Sequence, residues 1–324
     1  MPLYLNDNHI RDMGTDWERV VACLEEVVST LLNGDYAQPV KPYLRYGNAA
    51  NRIIAMPAYV GGKVGSAGLK WIASFPGNSA KRLPRAHSVT VLSEAETGRP
   101  AALLNTALIS AIRTAGVTGM LLKRLLDCRQ DASGLAIGII GFGPIGRMHL
   151  EMCLALFQHR IAHIRIYDPR GVQLSDEWHD AQHVIIETAA SWEEAYTDAD
   201  IVLTCTVAKE RYITRKPKPG SLLLHVSLRD YCAEALEDVN VIVVDDWEEV
   251  CRENTDIEML HLTRGLGREQ TVRLAEVIAG SGLDKIRAED TLLFCPMGMA
   301  VFDIGLAHDY MRQAVQTGTG QWLE

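Results

Sequence analysis

Features that mark several protein classes are missing from this sequence of 324 residues. No apolar run approaches the roughly 18 residues that a membrane-spanning helix needs, and the polar N-terminal segment lacks the apolar core of a secretory signal peptide. Aromatic residues make up only 6% of the chain, and no repeat or low-complexity tract occurs. At about 100–200 residues per domain, the length predicts a globular protein of two domains that does not cross a membrane.

Cysteine and histidine do not form metal-binding patterns. The seven cysteines are odd in number, scattered and free of CxxC spacing, so we expect neither a disulfide framework nor a thiolate metal site. His159 with His163 and His179 with His183 have the i, i+4 spacing of a helical ligand pair, but no third ligand lies near either pair. We therefore predict no metal and a reducing compartment, the cytoplasm.

The charge balance argues against nucleic acid as a partner. The chain has 32 lysines and arginines against 41 aspartates and glutamates, a net charge of −9. An acidic chain can carry a local basic site but binds polyanions poorly.

The first part of the chain mixes helix and strand patterns. Apolar residues recur with a helical period over 16–32, and short strand-like segments follow at 52–57, 68–75, 88–92 and 101–105. A long helix rich in Ala, Leu and Ile is predicted over 106–126, and the polar stretch after it is taken as a domain boundary. This pattern predicts an α+β domain with an antiparallel or mixed sheet.

After residue 130, strands alternate with helices. β-branched runs are predicted as strands at 135–140, 163–168, 183–186, 201–206, 221–226 and 241–244, which indicates a parallel sheet buried on both faces. The fold class is therefore α/β: a Rossmann-type doubly wound parallel sheet in residues 131–295, plus the α+β substrate and dimerisation domain in residues 1–130. A helix predicted over 298–317 folds back, so residues 296–324 are assigned to the first domain.

A dinucleotide-binding fingerprint stands in the expected context. The strand over 135–140 runs into Gly141, Gly143 and Gly146 in GxGxxG spacing, and a helix follows. Gly141 permits the tight turn, Gly143 lets the backbone approach a pyrophosphate, and Gly146 lets helix and strand pack closely. The helix N-terminus, with Pro144 and Ile145, then offers free N–H groups to the phosphates.

The residue type after the second strand bears on the choice of cofactor. Asp168 is placed to bind the adenosine ribose hydroxyls and to repel a 2′-phosphate, which predicts NAD rather than NADP. Arg170, two residues later, could reach a 2′-phosphate and leaves NADP open as the alternative. We also assign Thr206, Arg113 and Thr114 to the cofactor site.

Several motifs resemble the ornithine cyclodeaminase/mu-crystallin family over almost the whole chain. They are Arg113-Thr114-Ala115 after a helical run, the GxGxxG domain, and Gly298-Met299-Ala300 with Asp303. Within that family, one branch is most similar: the dehydrogenases of N-((2S)-2-amino-2-carboxyethyl)-L-glutamate. The segments that match it are KPYLR at 41–45, RIIAMP at 52–57, GLKWI at 68–72, VDDW at 244–247 and CPMGMA at 295–300.

The resemblance implies a reaction and its partners. NAD⁺ would take a hydride from the glutamate Cα, water would add to the imine, and the products would be 2-oxoglutarate, L-2,3-diaminopropionate and NADH. A pyridoxal-phosphate synthase would supply the substrate from O-phosphoserine and glutamate, in the biosynthesis of a siderophore or an antibiotic. The family also implies a homodimer formed by two first domains.

A substrate with three carboxylates needs cationic side chains, and the first domain has five candidates. Arginine suits carboxylates because its planar fork donates two parallel hydrogen bonds. Lys70 lies in an otherwise apolar strand, where a lysine needs an anion or a surface position. The resemblance assigns Lys70 and Arg113 to the substrate carboxylate and neighbouring groups, and Lys70 is also a catalytic candidate. The substrate-binding candidates are Lys41, Arg45, Arg52, Lys70 and Arg113, with a solvated surface role open for Lys41, Arg45 and Arg52.

Asp230 is the candidate acid–base residue. It follows a predicted parallel strand, at the carboxyl edge where such sites gather, and it matches the family's catalytic aspartate position. Arg229 beside it departs from the glycine-rich cyclodeaminase pattern. A second interpretation of Asp230 is a helix N-cap, because aspartate is a favoured cap.

Other functions remain open from the sequence alone. The same family includes ornithine cyclodeaminase, alanine dehydrogenase and ketimine reductase, and a mu-crystallin-like protein could bind a ligand and cofactor without turnover. The five cations favour the three-carboxylate substrate over ornithine, which has one carboxylate.

Overall fold

The structure is a computed structural model that describes residues 1–48, 50–129, 132–175, 178 and 183–324. Gln130 and Asp131 of the predicted domain boundary and His179 of one histidine pair lie outside these residues. The chain divides into two compact units, Met1–Val117 with Gly298–Glu324, and Thr118–Met297. The first is called unit 1 and the second unit 2.

The strands alternate with helices more regularly in the second half of the chain than in the first. In chain order they are β1 (Leu3–Asn6), β2 (Tyr36–Ala37), β3 (Tyr43–Leu44), β4 (Arg52–Val60), β5 (Ser66–Ser74), β6 (Ala86–Glu94), β7 (Pro100–Asn105), β8 (Leu135–Ile140), β9 (Ile161–Tyr167), β10 (Ile185–Thr188), β11 (Ile201–Thr204), β12 (Leu222–His225), β13 (Val241–Val244), β14 (Thr271–Arg273), β15 (Leu292–Cys295) and β16 (Gln321–Trp322).

The α-helices include three that are longer than four turns. In chain order they are α1 (Asp7–Met13), α2 (Trp17–Asn33), α3 (Leu108–Cys128), α4 (Pro144–Phe157), α5 (Trp192–Tyr196), α6 (Trp247–Val250), α7 (Asp256–Arg264), α8 (Leu274–Ala279) and α9 (Ala300–Thr317). The division between the units falls inside α3, whereas the sequence places the boundary after this helix. The predicted domain bounds and domain roles stay predictions.

Unit 1 is built on a mixed sheet. Its strands run in the order β16-β1-β7-β6-β5-β4-β2, with β3 also paired to β4, and the β1–β7 pair is parallel while the other pairs are antiparallel. α9 packs on β4, β5 and β6, where the side chain of Ile304 approaches Gly68. α2 also packs on α9. Asp16 caps the start of α2, and Gly34, at φ +70°, ends it.

Unit 2 is a parallel sheet in the order β10-β9-β8-β11-β12-β15-β13-β14. Every pair in it is parallel, and β8, β11, β12 and β15 are almost wholly apolar. The strand order reverses at β8, so the loops after β8 and β11 border the crevice in which doubly wound sheets bind ligands. The predicted strand over 183–186 is shifted, because His183 lies in a turn and β10 begins at Ile185.

None of the helices in the described ranges combines the length and apolar character that a membrane crossing needs.

Candidate active site

A buried ionic cluster lies under the sheet of unit 1. Nζ of Lys70 is 2.7 Å from Oδ2 of Asp303, and Nε of Arg113 donates to Oδ1 of the same carboxylate at 2.9 Å. β5, α9 and α3 each supply one of the three residues. The pleat places Lys70 between Met56 and Thr90, on the buried face of the sheet. Lys70 is therefore an interior lysine and not a surface one.

Burial and neighbouring charges shift the pKa values in this cluster. Burial lowers the pKa of Lys70 to about 8, against the opposing attraction of Asp303, and Arg113 and Lys41 lower it further. Burial alone would raise the pKa of Asp303, but Arg113 and Lys70 outweigh it and hold that pKa below its ordinary value. The cluster thus keeps a carboxylate that two cations share.

Lys41 is buried beside this cluster. Its Nζ donates to the carbonyl oxygen of Gly298 at 2.8 Å, just before α9. Gly298 has φ +87°, and a Cβ there would lie 2.9 Å from a guanidinium nitrogen of Arg113. The glycine is thus needed both for its backbone conformation and for the close approach of Arg113.

Arg45 and Arg52 are placed differently from the other predicted cations. Their guanidinium carbons lie 5.4 and 5.8 Å from the centre of the Tyr43 ring, with Arg45 exposed and Arg52 half-buried. Thr114, predicted at the cofactor, donates from its hydroxyl to the carbonyl of Ser110 one turn earlier in α3. The roles assigned to Arg45, Arg52 and Thr114 from the sequence stay predictions.

The glycine-rich loop of unit 2 is tightly packed below the start of α4. Gly141 has φ +94°, and a Cβ there would lie 2.7 Å from the backbone of Cys205 after β11. A Cβ on Gly146 would lie 2.1 Å from the carbonyl oxygen of Gly141. Gly143 is the N-cap of α4, receives no side-chain cap, and has only Arg170 within 4 Å of its Cβ position. The helix start is therefore open for a phosphate while the loop beneath it is tightly packed.

Asp168 is held in place by its neighbours directly after β9. Its carboxylate accepts from the backbone N–H of Phe142 at 2.9 Å and from two guanidinium nitrogens of Arg170 at 3.0 Å each. Burial works against ionisation, but the hydrogen bonds from Arg170 and Phe142 hold the pKa of Asp168 below its ordinary value. Asp168 is thus ionised at neutral pH, as ribose binding needs.

Asp230 lies at the carboxyl edge of the parallel sheet and is fully buried. Its Oδ1 accepts from the hydroxyl of Thr206, and its Oδ2 accepts from the hydroxyl of Ser227. Nδ1 of His225 is 3.6 Å from Oδ2. The alternative interpretation of Asp230 as a helix N-cap is wrong, because the next helical turn begins after Cys232 and Asp230 uses both carboxylate oxygens elsewhere.

Four residues around these sites are not assigned to a site by the sequence, although Asp303 is part of the family motif. His225 and Asp256 lie behind Asp230, Tyr212 carries a buried hydroxyl whose pKa is raised by burial and by Asp230, and Asp303 anchors the unit 1 cluster. A histidine ending an apolar parallel strand and an aspartate inside an apolar helix were the available signals. Nothing in the sequence pointed to Tyr212 or Asp256.

Metal ligands are not assembled in the described part of the chain, where no group of three His, Cys, Asp or Glu residues could hold an ion. His163 instead lies 2.9 Å from a carboxylate oxygen of Glu187.

Comparison with known proteins fixes the family. The sequence profile of the ornithine cyclodeaminase/mu-crystallin family matches residues 13–318. This chain belongs to that family. The N-((2S)-2-amino-2-carboxyethyl)-L-glutamate dehydrogenase of Staphylococcus aureus is 33% identical, with 99% of this chain and 98% of that protein covered. The predicted family is confirmed.

Solved structures show the same fold. Thermococcus litoralis Δ1-pyrroline-2-carboxylate reductase, in complex with NADH and L-proline, has a TM-score of 0.86 at 23% identity and covers 99% of this chain and 100% of its own. An archaeal alanine dehydrogenase dimer with bound NAD has a TM-score of 0.83 at 24% identity and covers 100% and 99%. The predicted α/β fold class is confirmed.

Proposed function

We propose that this chain is an NAD-dependent dehydrogenase that converts N-((2S)-2-amino-2-carboxyethyl)-L-glutamate and water to L-2,3-diaminopropionate and 2-oxoglutarate. The relatives, a dehydrogenase of that compound, a Δ1-pyrroline-2-carboxylate reductase and an alanine dehydrogenase, support the class of oxidoreductase. The observation that carries the specific substrate is the 33% identity, over nearly both whole chains, to the staphylococcal dehydrogenase of that compound.

The residues of unit 2 fit NAD. The uncapped start of α4 at Gly143 would hold the phosphates, and the ionised Asp168 would accept hydrogen bonds from the ribose hydroxyls. Pro144, at the first position of the helix, has no N–H and leaves those of Ile145 and Gly146 for the phosphates. Bound NAD⁺ supplies the hydride acceptor.

The residues of unit 1 fit an amino acid with several carboxylates. Lys70 and Arg113 share the carboxylate of Asp303, so the buried cluster of these three side chains has a net positive charge. An incoming carboxylate removes that imbalance in a region where burial strengthens the attraction. Arg45 and Arg52, on the Tyr43 ring, are the candidates for the outer carboxylates.

Asp230 is the acid–base residue in this proposal. After oxidation of the glutamate Cα–N bond, water adds to the imine carbon, and Asp230 takes the proton that the water loses. Asp230 then returns the proton to the departing nitrogen as the carbinolamine collapses. Thr206 and Ser227 orient the carboxylate for both steps.

Assembly and context follow from the same assignment. One face of the unit 1 sheet carries Ala55, Leu69, Trp71, Val89 and Val91, on the side opposite α9, and we assign it to a homodimer contact. We place the protein in the cytoplasm, where its seven free cysteines stay reduced. A pyridoxal-phosphate synthase that joins O-phosphoserine to glutamate supplies the substrate for a siderophore or antibiotic precursor.

The test is NADH formation at 340 nm by purified protein. The glutamate–diaminopropionate adduct is compared with ornithine, alanine and proline, and NAD⁺ with NADP⁺. Turnover of the adduct with NAD⁺, with 2-oxoglutarate formed in equal amount to NADH, is the expected result. Turnover of alanine or proline in place of the adduct would transfer the protein to another branch of the family. Ammonia from ornithine without net NADH would indicate a cyclodeaminase.

A further inference from the structure

His225, the last residue of β12, lies between two carboxylates and is fully buried. Its Nε2 is 2.7 Å from Oδ2 of Asp256, and its Nδ1 is 3.6 Å from Oδ2 of Asp230. Nδ1 is also 2.6 Å from the hydroxyl oxygen of Thr204. The imidazole of His225 is therefore hydrogen-bonded to Asp256 on one side and lies close to Asp230, without a direct hydrogen bond, on the other.

Asp256 is fixed firmly behind the imidazole. Nε of Arg211 donates to its Oδ1 at 2.7 Å, and its Oδ2 accepts from the backbone N–H groups of Asp230 and Tyr231 at 3.1 and 2.8 Å. The same carboxylate thus orients His225 and the main chain that carries Asp230. A movement of Asp256 would displace both.

The hydrogen-bond pattern leaves Nδ1 able to accept a proton. An ionised carboxylate only accepts, so Nε2 of His225 carries the hydrogen that points to Asp256. In the neutral imidazole, Nδ1 then has a lone pair, toward which the hydroxyl of Thr204 donates. The imidazole ring lies between the carboxylates of Asp230 and Asp256, with Nδ1 on the side of Asp230.

Other titratable groups near Asp230 are poor proton acceptors. Burial and then the charge of Asp230 raise the pKa values of Tyr212 and Cys205, and burial raises that of Tyr231, whose ring lies 4.8 Å from the imidazole. These three groups stay protonated and neutral. Within the described part of the chain, the charged groups that face His225 are Asp230 and Asp256, with Arg211 behind Asp256.

We propose that His225 holds the proton that Asp230 takes from the attacking water. The step rests on the proposed function of Asp230. The water O–H bond breaks as its oxygen bonds to the imine carbon, and the proton passes to Oδ2 of Asp230. It moves on to Nδ1 of His225 once the hydroxyl of Thr204 turns away from Nδ1 and the 3.6 Å gap between Nδ1 and Oδ2 shortens. The imidazolium returns the proton through Asp230 to the leaving nitrogen, and the C–N bond breaks as the carbinolamine O–H loses its proton to solvent. Asp230 and His225 thus regain their starting protonation states, and the proton released to solvent is the H⁺ formed together with NADH. His225 acts through Asp230 and is a positioning residue.

The kinetic test uses His225→Gln, which keeps polar groups in place but cannot become a cation. We expect kcat for the adduct to fall by about 100-fold or more, with KM within about threefold, because acid–base partners contribute on that scale. The acidic limb of the kcat–pH profile should shift as well. His261→Gln, on the exposed side of α7, is the matched control and should leave both unchanged. If His225→Gln keeps wild-type kcat and pH profile, the inference is wrong while the proposed function stands.

A second measurement does not need the substrate. In protein labelled with ¹⁵N-histidine, the His225 signals are identified by their loss in His225→Gln, and their pH titration is compared between wild type and Asp230→Asn. Coupled protonation predicts a changed midpoint in Asp230→Asn and none in Asp309→Asn, a carboxylate of unit 1 paired with Arg19. An unchanged His225 titration overturns the inference even if the adduct is turned over. A changed one supports it even if another substrate is found.

Discussion

The ammonium of Lys70 lies 2.7 Å from the carboxylate of Asp303, and both side chains are almost fully buried. Arg113 meets the same carboxylate, so one described anion, Asp303, is shared by two interior cations. Burying a charged side chain without a partner of opposite charge costs several kcal/mol, and pairing with an opposite charge offsets that cost. The arrangement keeps positive charge in the interior of unit 1, which is the basis for the proposed binding of a substrate carboxylate there.

Asp303→Asn should destabilise the protein strongly. It leaves Lys70 and Arg113 buried without their anion, and loss of one partner of a buried pair costs about 3–5 kcal/mol. Urea unfolding measures this change. Asp309→Asn, on the same helix and paired with the partly exposed Arg19, should cost less than about 1 kcal/mol. An equal loss of unfolding free energy in the two variants would show that the buried Asp303 cluster stabilises the fold no more than the partly exposed Asp309–Arg19 pair does.

Substrate binding should weaken as the pH rises through about 8. Lys70 has a pKa lowered to about 8 by burial, so the free enzyme loses this positive charge above that pH. KM should then rise toward about tenfold per pH unit. Lys70→Arg, which stays charged, should remove this dependence from the KM–pH profile. A profile identical to wild type would exclude Lys70 as the titrating group.

The same pKa predicts a trend in stability. Between pH 8 and 10.5 the unfolded chain holds a proton on Lys70 that the folded chain has lost. This group therefore makes the fold more stable as the pH rises through that window. Comparison of wild type with Lys70→Met by urea unfolding at pH 7.5 and 10 measures the effect.

Two alanine substitutions separate cofactor contact from loop packing. Gly143→Ala has room in the fold, with only Arg170 as near as 3.8 Å, so stability should be kept while NAD⁺ binding weakens at least about tenfold. Gly146→Ala would place a Cβ 2.1 Å from the Gly141 carbonyl oxygen and should lower stability as well as binding. Thermal unfolding and NAD⁺ titration by fluorescence measure both. Wild-type NAD⁺ affinity in Gly143→Ala would contradict the phosphate assignment.

Asp168 and Arg170 should set cofactor choice together. While Arg170 is held by Asp168, its charge is compensated and a 2′-phosphate meets the carboxylate. Asp168→Ala should lower kcat/KM for NAD⁺ and raise it for NADP⁺, because Arg170 is released. The double variant with Arg170→Ala should lose the gain with NADP⁺. If Asp168→Ala leaves the ratio of kcat/KM for NAD⁺ to kcat/KM for NADP⁺ unchanged, Asp168 does not contact the ribose hydroxyls.

The dimer contact is tested at Trp71, whose side chain is 42% exposed on the sheet face opposite α9. Trp71→Glu should convert a dimer to a monomer in light scattering after size-exclusion chromatography, since a buried unpaired charge opposes association. Leu262→Glu, at an exposed position of α7 in unit 2, should remain dimeric. A dimeric Trp71→Glu would place the contact on another surface.

The local pattern of apolar residues in the sequence predicts most helices and strands of the fold. The strands over 135–140 and 241–244 have the predicted bounds, and α2 and α9 differ from prediction by one or two residues at their ends. Apolar periodicity and turn residues decide these elements. The strand over 183–186 was misplaced because its neighbourhood is polar and lacks a clear alternation.

The sequence by itself determined the family, the fold class and the glycine loop with Asp168, because these depend on residue types at fixed short spacings. It could not rank five candidate cations or choose between the two interpretations of Asp230. Only the tertiary structure joined Lys70 and Arg113 to Asp303. It placed Arg45 and Arg52 beside the Tyr43 ring, away from that cluster. It also placed His225 and Asp256 behind Asp230. These partners come from strands and helices far apart in the chain, and their charge compensation depends on burial, which periodicity does not reveal.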